Sequence, residues 1–280
     1  MNINDIISSL NLISEKLFKS VEGEVYTTLD KIVNISPKIL KSEPLNNIFL
    51  ENKINGIILI ANSLIMFYIT YYIFTQLISL YNGNTAENIY VFIIKLVLIS
   101  IIVNNSYFIC ELMLNITDEL TKTIEIYGRD ISNQDITFEN LKEKILSIKD
   151  FMKNDLLSLD GIIKGVISFG AITILINFSI RYVTAIFLII IFPLSLVTLI
   201  SNITSGIFKS YFKFLTVTLL TQIIVKLVIL IPLMYKDIDS IMYKIILVGS
   251  IYIIYKINTF VKELFVKITE EGKYTNIFKR

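Results

Sequence analysis

Two apolar runs constrain what this chain can fold into more than any other feature. Residues 161–200 read GIIKGVISFGAITILINFSIRYVTAIFLIIIFPLSLVTLI, and after a short break, SNITSGIFKS, residues 211–234 read YFKFLTVTLLTQIIVKLVILIPLM. The hydrocarbon core of a bilayer is about 30 Å thick and takes roughly 20 apolar residues of helix to cross. Both runs are long enough. In lipid the backbone must satisfy its own N–H and C=O groups, so such runs are helical. The fold class that follows is all-α, a polytopic helical membrane protein. Composition agrees: 54% of residues are hydrophobic and only 18% charged, against about half and about a quarter in soluble domains.

The residue inventory narrows the chemistry. There is no histidine and a single cysteine, Cys110. That excludes a disulfide within the chain, metal sites built from His and Cys, and Ser-His or Cys-His nucleophilic pairs. No G-x-x-x-x-G-K-[ST] phosphate loop is present, so the chain does not itself bind a nucleotide in that way. Neither an enzyme nor a cofactor is expected.

Taken in order, residues 1–54 form an N-terminal amphipathic segment. Ile3, Ile6, Leu10, Ile13, Leu17, Val21, Val25, Leu29 and Ile32 recur every three or four residues, with charges such as Asp5, Lys16 and Asp30 between them. The segment lacks the basic start and unbroken apolar centre of a signal peptide. It reads as a helix on the membrane surface or against neighbouring subunits. Pro37 and Pro44 break the pattern. Residues 55–114 hold two crossings, Gly56–Leu80 and Ile89–Leu114, joined by the turn YNGNTAEN. Lys95 can snorkel to the interface, whereas Asn104 and Asn105 lie deeper and need partners from another helix. Residues 115–160 are polar and carry more acids than bases, including Glu119, Glu125 and Asp135. Within them GRDISNQD reads as a loop, and Leu141, Ile145, Ile148, Phe151 and Met152 as one amphipathic helix.

Residues 161–257 form the membrane core. Gly161 and Gly165 stand four apart and favour close helix packing in lipid. Arg181 interrupts an apolar stretch, which is costly unless it faces protein or water. Either residues 161–200 are one long helix with Arg181 turned inward, or they form a hairpin near Asn177–Tyr182. The first reading is preferred because NFSIRY lacks glycine and proline. Pro193 would kink the far end of that helix, and Gly206 would give SNITSG its freedom to turn. In the next crossing Gln222 and Lys226 share one face, and Pro232 ends it. That face is either in polar contact with a neighbouring helix or subunit, or it offers positive charge to a polyanion in transit. Ile241–Ile257 is the last crossing, and residues 258–280 form a basic tail.

The distribution of cations places the tail and the Lys209–Lys213 turn in the cytoplasm and the acidic 115–160 segment outside. Five crossings satisfy this, with the N-terminus outside; six would follow from the hairpin.

The layout of amphipathic start, two crossings, polar segment and core resembles the TrbL-type family. The residues that carry the resemblance are Arg181, Pro193, Leu194, Thr204, Phe208, Lys209 and Phe212, in R-Y-…-L-I-I-I-F-P-L-S-L followed by T-S-G-I-F-K-S-Y-F-K-F-L. The family often carries a tryptophan after the turn; here Tyr211 or Phe212 would have to serve. The resemblance implies a non-catalytic channel subunit of a type IV secretion, or conjugative DNA transfer, machine in the plasma or inner membrane. It implies a homo-oligomer in the bilayer, with other secretion-system membrane subunits and ATPases as partners and transient contact with transferred DNA. The alternative function is a small-solute transporter or permease subunit. Such proteins often show inverted repeats, and no convincing repeat is found here.

Overall fold

The computed structural model describes residues 24–50, 56–82, 88–147 and 159–277. Every regular element among these residues is helical: α1 (residues 24–33), a 3₁₀ turn Pro37–Ile39, α2 (Glu43–Leu50), α3 (Ile57–Tyr81), α4 (Ile89–Asn104), α5 (Ser106–Ser132), α6 (Phe138–Leu146), α7 (Leu159–Val197), α8 (Ser205–Met234) and α9 (Ile241–Ile277). The expectations at positions 3–21, Gly83, Asn84, Ile148, Phe151, Met152, Lys279 and Arg280 lie outside the described residues.

Four helices are long and apolar enough to cross a bilayer: α3, α7 over Gly165–Val197, α8, and α9 over Ile241–Val261. A fifth crossing is available from α4 and α5 together, which bend by 62° at their junction. The chain is therefore a polytopic helical membrane protein. The hairpin near Arg181 is absent: α7 is one helix of 39 residues. At 1.5 Å per residue it is about 58 Å long, roughly twice the bilayer core.

Several local expectations are corrected. The second crossing is not straight to Leu114 but breaks at Asn105. The side chains of Asn104 and Asn105 donate to the carbonyls of Ser100 and Ile101, each at 2.8 Å, back-bonding that competes with a continuous helix. Asn104 also finds the inter-helix partner it needs, since Asn62 of α3 donates to its Oδ1 at 3.2 Å. GRDISNQD is not all loop. α5 continues to Ser132 and stops where Asn133 takes a left-handed φ of 55°, a conformation that asparagine tolerates and that closes helices. The amphipathic pattern ends at Val33, before Pro37, and Pro44 lies in the first turn of a further helix, α2, where a residue without an N–H fits. Pro232, expected to end its crossing, lies inside α8, which runs to Met234, while Pro193 lies inside α7 near its far end as read. Gly206 is in the first turn of α8, and the chain turns before it, over residues 198–204. α9 continues well past Ile257.

The chain divides into two compact units. The first contains Met1–Ile35, Thr117–Val183 and Val217–Arg280. Its core joins Leu29 and Val33 of α1, Phe138 and Leu141 of α6, Ile174 and Phe178 of α7, Val225 and Ile229 of α8, and Tyr243 and Leu247 of α9. Two glycines permit close approaches there. A Cβ on Gly170 would lie 2.6 Å from Cγ2 of Ile251, and one on Gly128 would lie 2.1 Å from Cδ1 of Ile136. Gly165, by contrast, has nothing within 4 Å of that position.

The second unit contains Ser36–Ile116 and Thr184–Thr216. Tyr72 of α3 stacks on Phe92 of α4 at 3.7 Å, and Phe49 of α2 meets Tyr107 of α5 edge-on. Only 17% of the most apolar window of α3 is buried, against 61% for α8. Met66, Phe67, Phe74 and Leu77 of α3 and Ile94 and Leu98 of α4 are exposed. In water such a surface would be a liability; in a bilayer it faces a solvent as apolar as itself.

Candidate functional site

Three deeply buried polar residues of the first unit form a seam on α7 and α8. Arg181 comes from α7; Gln222 and Lys226, one helical turn apart, come from α8. All three are almost wholly buried, at 4%, 1% and 2% exposure. Each charge or amide taken from water needs compensation, and each finds it on a segment remote in sequence.

Arg181 donates through Nε to the carbonyl of Thr218 at 3.0 Å and through Nη1 to the carbonyl of Val33 at 3.1 Å. Val33 is the last residue of α1, whose terminal carbonyls have no partner within their own helix. A cation there also meets the negative end of the helix dipole. The guanidinium stands 5.4 Å from the ring centre of Phe178, one turn earlier on α7. Among the described residues Nη2 has no hydrogen-bond partner.

Gln222 spends both ends of its amide. Its Oε1 accepts the N–H of Ile35 at 2.9 Å, and its Nε2 donates to the hydroxyl of Thr121 at 3.2 Å. Lys226 donates to the carbonyl of Ile136 at 2.7 Å and forms an ion pair with Glu125 at 2.7 Å. Thr121 and Glu125 are four apart on α5, as Gln222 and Lys226 are on α8. The two pairs meet in ascending order, so the helices run parallel here with one register along the seam.

Two further residues complete the arrangement. Asp30 of α1 accepts the N–H groups of Phe138 at 2.9 Å and Glu139 at 3.1 Å, which places an anion at the start of α6 where the helix dipole favours one. Burial raises its pKa above the ordinary value, against the opposing pull of those N–H groups and of Lys226. Lys144 of α6 donates to the carbonyls of Pro232, Leu233 and Tyr235 at the end of α8, at 3.3, 2.5 and 2.7 Å. Burial lowers its pKa. Among the described residues no three His, Cys, Asp or Glu side chains gather to hold a metal.

The family model for the conjugal transfer protein TrbL matches residues 6–278. The chain belongs to that family. No curated protein and no solved structure matches it.

Within this TrbL-family chain the motif residues separate. Arg181 lies in the first unit, whereas Pro193, Leu194, Thr204, Phe208, Lys209 and Phe212 lie in the second. Thr204 donates to the carbonyl of Thr198 at 2.7 Å and shares a hydrogen bond with Tyr68 at 3.2 Å, pinning the 198–204 turn to α3. Phe208 and Phe212 stack at 5.6 Å. Of the two aromatics in the place of the family's tryptophan, Tyr211 is half-buried and donates to the carbonyl of Leu188, while Phe212 is exposed. The surroundings of Gly161 lie outside the described residues.

Sequence reasoning singled out Arg181, Gln222 and Lys226 but missed their partners. Glu125 reads as one acid among many in an external segment, and Thr121 is not singled out at all. A signal was present: two polar pairs at helical spacing, one on each of two helices, match each other.

Proposed function

We propose that this TrbL-family protein is a structural, non-catalytic channel subunit of the conjugative transfer machine, a multi-pass protein of the plasma or inner membrane. The observation that carries the reading is the family match over nearly the whole chain. The seam supports it, because its buried cations hold segments of the chain together. The subunit assembles with copies of itself and with other membrane subunits and ATPases, and the exposed apolar faces of α3 and α4 suit lipid and such neighbours. The N-terminus and the 115–160 segment lie outside and the tail inside. The bond from Asp30 to α6 supports a shared side for the first two.

Two experiments test this. With Cys110→Ser as background, Gln134→Cys should label with an impermeant external thiol reagent and Glu263→Cys should not; the reverse pattern would overturn the orientation. For a DNA conduit, Lys226→Gln should slow conjugative transfer while Lys226→Arg preserves it, with complex assembly equal in both. Loss of transfer only in proportion to lost complex would assign Lys226 a purely structural role.

A further inference from the structure

The second unit contains a cavity of about 490 Å³ that the seam does not involve. One face of α3, one face of α4 and residues 200–203 of the turn bound it, and Lys95, Asn202, Gln76, Ser79, Tyr71 and Val91 are among its lining residues. A ligand site of a few hundred Å³ with a few converging polar groups is of ordinary size.

Lys95 decides its chemistry. It lies six residues into α4, about 9 Å along the helix. A charge this far into an apolar helix needs a partner or a route to the interface. Its ammonium donates to the side-chain oxygen of Asn202 at 2.8 Å. A neutral amide satisfies one of its three donors and none of its charge. Lys95 is the one charged side chain among the described residues that line the cavity. Its surroundings are apolar: Leu77 and Ile78 on α3 and Ile94 and Leu98 on α4 are exposed. The ligand that fits is an amphiphile with one negative charge at its polar end, able to lay hydrocarbon along these helices.

We propose that this cavity binds the phosphodiester headgroup of an anionic phospholipid, with Lys95 on the phosphate and the acyl chains along the exposed faces of α3 and α4. A single lysine near the membrane surface favours an anionic headgroup about fivefold, enough to retain a lipid and too little to hold a polyanion.

The test uses the full chain in nanodiscs of phosphatidylcholine with and without phosphatidylglycerol, counting retained lipid by native mass spectrometry. Wild type should retain phosphatidylglycerol in preference, Lys95→Gln should lose about fivefold of that preference, and Lys95→Arg should keep it. Val91→Phe, which pushes a ring into the cavity beside Lys95 without removing the Lys95–Asn202 bond, should also weaken it and decides the matter if Lys95→Gln fails to fold. Unchanged retention in Val91→Phe, or in a folded Lys95→Gln, would overturn the proposal. Inorganic phosphate added to phosphatidylcholine discs separates the sources. If it raises the melting temperature of wild type as much as phosphatidylglycerol does, and not that of Lys95→Gln, the ligand is a soluble phosphate and the lipid assignment falls.

Discussion

Two lysines in long apolar helices meet different fates. Lys226 of α8 is 2% exposed, paired with Glu125 and bonded to the carbonyl of Ile136. Lys95 of α4 is half-buried, has a neutral amide for a partner and borders a cavity. The residue type is the same; the difference is what remote segments bring to it. In the first unit α5 supplies a carboxylate and the residues between α5 and α6 a backbone carbonyl, and the cation becomes a tie. In the second the 198–204 turn supplies an amide, and no carboxylate among the described residues lining the cavity meets the charge. A buried cation in a membrane protein therefore has to be read through its partners before any transport role is assigned to it.

The comparison breaks most readily at the ion pair. Glu125→Ala leaves Lys226 buried without its direct counter-charge, and the loss should approach the roughly 3 kcal/mol lower end of the range for breaking a buried pair, since Glu125 is 31% exposed and Asp30 is near. Replacing both, Lys226→Met with Glu125→Leu, should recover most of that loss, since apolar substitutes for a buried pair are often neutral. Lys95→Ala should cost only about 1 kcal/mol, the worth of an ordinary hydrogen bond. Thermal unfolding in detergent micelles reads all three, and equal losses for Glu125→Ala and Lys95→Ala would erase the distinction drawn here.

Packing gives a smaller contrast. Gly170→Leu must push Ile251 aside, and overpacking of this kind costs about 1–3 kcal/mol. Gly165→Ala meets nothing within 4 Å and should be neutral or stabilising by up to about 1 kcal/mol through helix propensity. A destabilising Gly165→Ala in the assembled complex, together with a neutral effect on the isolated chain, would mark that face as a contact between subunits.

The smallest effect concerns Asp30. Because burial raises its pKa above the ordinary carboxylate value, the folded chain holds that proton more tightly than the unfolded one. Its contribution is present at acid pH and lost as pH rises through the raised value. Asp30→Asn removes this titration. The melting temperature of wild type relative to Asp30→Asn should therefore fall as pH rises from about 4 towards neutrality. A difference that grows with pH would show that the N–H groups of Phe138 and Glu139 outweigh desolvation.

Much of this architecture was legible because it is local. Residues 161–200 could be read as one helix because NFSIRY holds no turn-forming residue, and α7 is continuous. The inward-facing polar residues could be picked out because polar side chains are rare in such runs. Less legible were the ends and breaks. Pro44 stands in the first turn of a helix, α2, in a stretch read only as a break in the pattern, and Gly128 packs inside a helix where it was expected in a loop. Glycine and proline disturb a helix or suit it according to position and neighbours, and composition alone does not separate the two.

By itself, then, the sequence determined the membrane class, the helical core and the three polar residues that had to be turned inward, through hydrophobic periodicity and the cost of charge in lipid. Only the tertiary structure decided that Val33, Ile35, Thr121, Glu125 and Ile136 receive them. Those partners lie between 90 and 187 residues away. Pairing over such distances is chosen by how the helices pack together; the matching four-residue spacings on α5 and α8 are a local trace of one contact, and the contacts of Arg181 leave none.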